Sequence, residues 1–368
     1  MSNGNKLTVA VGSYGAGEQE AIHFYRFDKI RGTLGQLGGF AGIENPSFLA
    51  IGKDASHLYA VSETDGTGEV VSVTADVSGR MISELNRQPT YGAFPCNLTV
   101  DPSGKWLLSV NYEGGSVCVY PIEKDGRIGR LSDQVHHAGR SVNPARQGSP
   151  HPHSIIAVPS TSFYLVSDLG TEHIYTYRLD GKIGKLELIC RTRAEPGAGP
   201  RHLAVHPTKP WIYSIEELSS TVTVYEFEMQ TGQLRPIQTI TTLPGDFTEE
   251  NTCAEIAVSS DGRFVYGSNR GHNSIASYKI DEEGRLALLG HTATNGETPR
   301  HFALVPGGKW LIAANQDSDS IIVMKINSSG VPELTGQQYV VEKPSCIQII
   351  ETSSWLTDAP PKPGRSTN

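Results

Sequence analysis

A seven-bladed β-propeller is the fold this sequence predicts, and three observations carry the prediction: a motif recurring at near-constant spacing, a fixed order of four strands within each copy, and two chain ends that each hold part of one further copy. Six segments align on one pattern: PSFLAIGKDASHLYAVSE from Pro46, PCNLTVDPSGKWLLSVNY from Pro95, PHSIIAVPSTSFYLVSDL from Pro152, PRHLAVHPTKPWIYSIEE from Pro200, CAEIAVSSDGRFVYGSNR from Cys253 and PRHFALVPGGKWLIAANQ from Pro299. Their starts lie about 45 to 57 residues apart, and a seventh start, PSCIQIIE, follows at Pro344.

Within a copy, a short apolar strand leads to a turn of DG, SGK or GGK type and a second strand. A Gly/Ser-rich link then leads to an alternating strand such as SVCVYPI or TVTVYEF, and a GRL or GQL turn to a weaker fourth strand. Turn residues supply the reversals, and β-branched and aromatic residues supply the strands. The Pro344 segment lacks its remaining three strands, and the N-terminal stretches LTVAVGSY, AIHFYRF and LGQLGGF provide them, so the two ends share one blade and close the ring. The propeller is expected over residues 7–352, flanked by an N-terminal tail over 1–6 and a Pro-rich, polar C-terminal tail over 353–368. A pair of β-sandwiches would explain neither the repeat nor the incomplete ends.

The 368 residues are 38% hydrophobic and 19% charged, a balance suited to a large core. A formal net charge of −8 argues against general affinity for nucleic acid or anionic membranes, so an anionic substrate needs a local cluster of arginines. Five cysteines without CxxC spacing read as packed thiols of a reduced protein. No signal-peptide or membrane-spanning apolar run occurs, and the expectation is a cytoplasmic monomer or weak homo-oligomer.

Strand register points to the chemistry. The residue after each opening Pro, or its equivalent, is Ser47, Cys96, His153, Arg201, Ala254, Arg300 or Ser345, whereas residues two and four further along are apolar. Because the first two strands of a blade are antiparallel, the end of the second lies at the same face as the start of the first. Sixteen residues beyond the first ring come Glu63, Tyr112, Leu169, Glu217, Arg270 and Gln316. One residue earlier come Ser62, Asn111, Asp168, Glu216, Asn269 and Asn315. One mouth of the central channel therefore gathers His153, Arg201, Glu217, Arg270 and Arg300, while the other carries generic DPSGK, SSDGR and PGGK turns. Arg201 with Glu217 also fits a plain structural ion pair, and His202 with His301 fits packed, hydrogen-bonded histidines.

The longest link, HHAGRSVNPARQGSPHPHS at 136–154, places Arg146 and several histidines over that mouth as a rim suited to anions. Beyond HPH, no histidine spacing supports a metal site, and neither a metal nor a cofactor is expected. No GxSxG elbow is present, no cysteine has the setting of a nucleophile, and PTYGAF and GAGP lack the following helix of a phosphate loop.

The stretches HHAGRSVNPARQGSPHPHS, GAGPRHLAVHP, IYSIEELSSTVTVYEF, CAEIAVSSDGRFVYGSNRG and TPRHFALVPGGKWLIAANQDSDSI resemble the lactonase family of seven-bladed β-propellers, which includes a bacterial 6-phosphogluconolactonase and the fungal carboxy-muconate cyclase. The resemblance runs from about residue 7 to about 350. It implies catalytic roles for His153, Arg201, Glu217 and Arg270, the positions already singled out by register. It departs at Glu216-Glu217-Leu218, where members often read Asn-Glu-Leu, and at Pro299-Arg300-His301-Phe302, where they often read Pro-Arg-Asn-Phe.

The expected activity is metal-independent hydrolysis of an anionic sugar lactone, foremost 6-phosphogluconolactone. Glu217 or His153 is the expected base, Arg201 the oxyanion partner, and Arg270 and Arg300 the anion anchors. Arg146, Asp168, His202 and Asn315 complete the expected substrate contacts. The alternatives are a muconate-type lactonising reaction at the same groups and a non-enzymatic propeller used as a binding platform, although WD and kelch signatures are missing.

Overall fold

A computed structural model describes residues 6–75 and 82–351; residues 1–5 and the tail expected over 353–368 lie outside these. The described residues form seven sheets of four antiparallel strands each, with no helix and hence none long and apolar enough to cross a membrane. In blade 1, Pro344–Ile350 is the innermost strand, followed outward by Lys6–Ser13, Ile22–Asp28 and Thr33–Phe40. The C-terminal strand thus completes the N-terminal three, as the incomplete ends predict, and the first strand starts at Lys6, one residue ahead of the expected boundary.

The other six blades follow in chain order, and the inner strands that matter for the site are Leu49–Ile51 in blade 2, Pro95–Val100 in blade 3, Pro152–Ala157 in blade 4, Pro200–Val205 in blade 5, Thr252–Val258 in blade 6 and Pro299–Val305 in blade 7. Second strands are the most enclosed: all six residues of Trp106–Asn111 are buried, whereas the outer strand Lys185–Arg193 is exposed or half-buried throughout. The hydrophobic core divides into seven clusters, each between two adjacent blades. The cluster joining blades 7 and 1 packs Val9, Phe27, Trp310 and Ile312 in the same manner as the rest, so ring closure leaves no seam.

Neighbouring blades are also stapled by hydrogen bonds that explain the GR-type turns. The hydroxyls of Tyr59, Tyr213 and Tyr266 donate to the carbonyls of Gly126, Gly284 and Gly330, each in the outer turn of the next blade. Gly284 has φ +84° and a Cβ there would stand 2.4 Å from the Trp211 ring, so both backbone conformation and space demand glycine.

A second recurrent device ties each link to its blade. Asn111, Asn269 and Asn315, in equivalent positions at or next to the ends of second strands, donate from Nδ2 to the carbonyls of Thr90, Thr242 and Thr294 and to the hydroxyls of Ser116, Ser274 and Ser320.

Candidate active site

The inner strands begin with a distortion that builds the site. In six blades the ladder slips at the first ring position, leaving Cys96, His153, Arg201, Arg300, Ser345 and the Ala254-Glu255 pair outside the regular pairing. A bulge of this kind re-aims side chains and breaks strict alternation. Consecutive residues therefore both reach the channel: Arg201 meets Glu217, while His202 meets Glu255 of blade 6.

Glu217 is the centre of charge. Arg201 Nε lies 2.8 Å and Arg270 Nη2 2.9 Å from its Oε2, as ion contacts, and Arg146 Nη2 donates to Oε1 at 2.5 Å. Two of these guanidiniums are held by backbone as well: Arg201 Nη1 donates to Ala254 O and Arg270 Nη2 to Cys253 O, both at 2.7 Å. Burial alone would raise the Glu217 pKa, but Arg270, Arg201 and Arg146 outweigh it and hold the carboxyl at about 2. Burial, then Arg270, pulls Arg201 down to about 10, still a cation at neutral pH.

His153 stands beside this group as a neutral imidazole: burial first, then Arg201, His202 and Arg300, push its pKa well below 6.5. Its Nδ1 is 3.9 Å from Cys96 Sγ, and burial raises the Cys96 thiol so far that it stays protonated, in line with the absence of a cysteine nucleophile. The Tyr112 ring stacks on His151 at 4.5 Å and meets His153 edge-on at 5.4 Å.

The 136–154 link is tied down at two buried carboxylates. Asp168 accepts from His137 Nδ1 at 2.6 Å and from the backbone N–H groups of His151 and Thr171. Glu172 accepts from Ser141, Gln147, Gly197 and Gly199, joining this link to the GAGP loop before blade 5. These bonds deliver Arg146 to Glu217.

Opposite Glu217 lies a second pole. Arg300 sits with its guanidinium 5.4 Å from the centre of the Tyr14 ring, Tyr14 donates its hydroxyl to Glu63 Oε2 at 2.9 Å, and Ser47 Oγ donates to the same oxygen.

Beneath both poles, Glu255 Oε2 receives His202 Nδ1 at 3.0 Å and His301 Nε2 at 3.1 Å. The backbone N–H of Ile347 donates to His301 Nδ1, which places the neutral ring's proton on Nε2, toward Glu255. Phe48 reaches across from blade 2 to within 6.1 Å of the His202 ring and 5.8 Å of the His301 ring, completing a floor. Below it a cavity of about 350 Å³ continues down the channel between Leu98, Ile155, Leu203 and Gln348.

The structure thus brings together His153, Arg201, Glu217, Arg270, Arg300 and Arg146. Two other expected substrate contacts lie elsewhere. Asp168 spends its oxygens on the link, and Asn315 belongs to the asparagine device, its amide turned to Thr294 O and Ser320 Oγ of its own blade rather than to the channel. His202 is in the floor, engaged by Glu255. Register reasoning missed Glu255, since Ala254 fills the ring position and only the bulge turns its neighbour inward. It also missed Tyr14, which follows the second strand of the shared blade and so holds the place that Glu217 holds in blade 5.

Residues 8–349 match the family described as Lactonase, 7-bladed beta-propeller. The chain belongs to that family. It is 32% identical over 342 residues to a 6-phosphogluconolactonase of Bacillus subtilis, covering 92% of this chain and 97% of that one. A 6-phosphogluconolactonase of Formosa agariphila is 29% identical over 341 residues, covering 90% and 96%. The solved structure of a periplasmic gluconolactonase from Pseudomonas aeruginosa superposes with a TM-score of 0.88 at 30% identity, covering 94% of this chain and 99% of that one.

Proposed function

We propose that this family member hydrolyses a six-membered sugar lactone, 6-phosphogluconolactone, to the open acid. The observation that carries the reading is the convergence of Arg201, Arg270 and Arg146 on one buried carboxylate, Glu217, with a further guanidinium, Arg300, across the mouth. Water attack on the lactone carbonyl creates negative charge on its oxygen, and a fixed guanidinium there lowers the barrier. Arg201, held from below by Ala254 O, fills that role, and Arg270 and Arg300 take the substrate's anionic group.

The attacking water must lose a proton, and two groups are in the right protonation state to accept it: ionised Glu217 and neutral His153. An anionic substrate draws Arg146 and Arg270 away from Glu217, which raises its basicity at the moment it is needed. All five cysteines are free and four are buried, which supports a reducing, cytoplasmic compartment.

Such lactones also open spontaneously, so the test compares rates at fixed pH for phosphorylated and unphosphorylated gluconolactone with and without the protein. Acceleration of both, with the higher kcat/KM for the phosphorylated form, is expected. Rates equal to the spontaneous ones overturn the reading. Glu217→Gln and His153→Asn then identify the base, as the variant with the larger loss in kcat.

A further inference from the structure

The two carboxylates at the mouth differ in what they have left to give. Both Glu217 oxygens are engaged, Oε1 by Arg146 and Oε2 by Arg201 and Arg270. Glu63 spends only Oε2, on the Tyr14 and Ser47 hydroxyls; among the described residues Oε1 has no hydrogen-bond or ion-pair partner. Arg300 likewise makes no hydrogen bond or ion pair among the described residues and is held by the face of Tyr14.

The frame around Glu63 is rigid. Its backbone N–H donates to Asn45 O, its carbonyl accepts from Asn45 Nδ2, and Asn45 Oδ1 accepts from the Gly15 N–H beside Tyr14. Ser345 Oγ donates to the carbonyls of Gly12 and Ser47, locking the blade 1 and blade 2 sides together. An acceptor oxygen and a guanidinium, neither with a hydrogen-bond partner among the described residues and the two attracted to each other by charge, therefore share one pre-organised support.

We propose that Glu63, with Tyr14, Ser47 and Arg300, forms a subsite for the hydroxyl-bearing arm of the substrate, in which Glu63 Oε1 accepts from sugar hydroxyls and Arg300 binds the anion at the end of that arm. This rests on the sugar-lactone reading and adds its specificity. A carboxylate at this position welcomes hydroxyl donors and repels a second carboxylate, so the same feature selects a polyhydroxylated lactone over an unsaturated dicarboxylate of muconate type.

The test uses the purified full chain and two measurements. Calorimetric binding of 6-phosphogluconate and of inorganic phosphate is compared for the parent, Glu63→Gln, Arg300→Met and Tyr14→Phe. Glu63→Gln is expected to weaken 6-phosphogluconate about tenfold, since one charge-assisted hydrogen bond is lost, while inorganic phosphate, which loses only a repulsive neighbour, is not weakened. Arg300→Met weakens both, and Tyr14→Phe, which removes one of the two hydroxyls that orient Glu63, weakens 6-phosphogluconate by less than Glu63→Gln does. Turnover then compares glucono-δ-lactone with δ-valerolactone, which has no hydroxyls: Glu63→Gln should raise KM only for the former. Equal losses for phosphate and sugar acid, or for both lactones, give Glu63 a general structural role and overturn the subsite. Absence of catalysis in the parent overturns the lactonase reading instead, and the binding comparison still decides the subsite.

Discussion

Blades 5 and 7 open on the same three residues, Pro-Arg-His, at the same register, yet their arginines have opposite standing. Arg201 is buried in the wall of the mouth, 2% exposed, contacting Glu217 just past the end of its own second strand and bonded to Ala254 O. Arg300 faces Gln316 at the corresponding position, and Gln316 turns away to donate to Asp317, which leaves the guanidinium on the Tyr14 ring. The two histidines, by contrast, are equivalent: both converge on Glu255 of the blade between them. A repeated motif thus delivers identical side chains to equivalent places, and the residue sixteen positions later decides whether the cation is fixed machinery or a free hand for substrate.

That contrast is broken most directly by exchanging each arginine for methionine. Arg201→Met is expected to lower kcat by about a hundred- to a thousandfold, the scale of a lost oxyanion donor. It should also cost about 3 kcal/mol of stability, because Glu217 loses a partner inside the protein. Arg300→Met should raise KM for the phosphorylated lactone by about tenfold or more, with kcat within a few-fold and the melting temperature unchanged. Equal losses in kcat for the two variants would falsify the distinction.

The carboxylate pair of blade 5 makes the two arginine settings differ in their response to pH. Glu216 occupies the place of Asn111, Asn269 and Asn315, and burial first, then Glu172, raises its pKa from 4.5 to about 8. A carboxyl that holds its proton more tightly folded than unfolded contributes stability that is full below about pH 4.5 and is lost as pH rises through about 8. The parent should therefore lose melting temperature progressively between about pH 4.5 and 8, and Glu216→Gln should flatten that decline while leaving pH 4 unaffected. A slope unchanged in the variant would place that loss elsewhere. The smallest effect is expected at Asn315→Ala: about 1 kcal/mol of stability from the lost link bonds, with kcat and KM at parental values. A rise in KM there would restore Asn315 to the substrate's surroundings.

Much of this is legible in the sequence. The blade count, the shared blade and the mouth that carries charge all follow from a repeat whose strands alternate with period two, and Arg201, Glu217, Arg270 and His153 lie together as that register predicts. Asp168 and Asn315 misled because an end-of-strand polar residue satisfies a link as readily as a ligand, and only hydrogen-bond partners tell the two apart. Glu255 was hidden by the bulge, which no spacing rule registers, and Tyr14 by the fact that its blade begins at the other end of the chain.

The bulges at the inner-strand starts have a consequence for descent as well as for geometry. A residue outside the ladder owes nothing to its neighbours' pairing, and apart from Cys96 the bulged residues stand outside the clusters that pack blade on blade. Six of the blades therefore offer an address at the mouth where Ser, Cys, His, Arg or Ala is accepted. Chemistry here can be rewritten one blade at a time while the shape is inherited whole, which makes the mouth of such a ring a natural place for one ancestor to give rise to several activities.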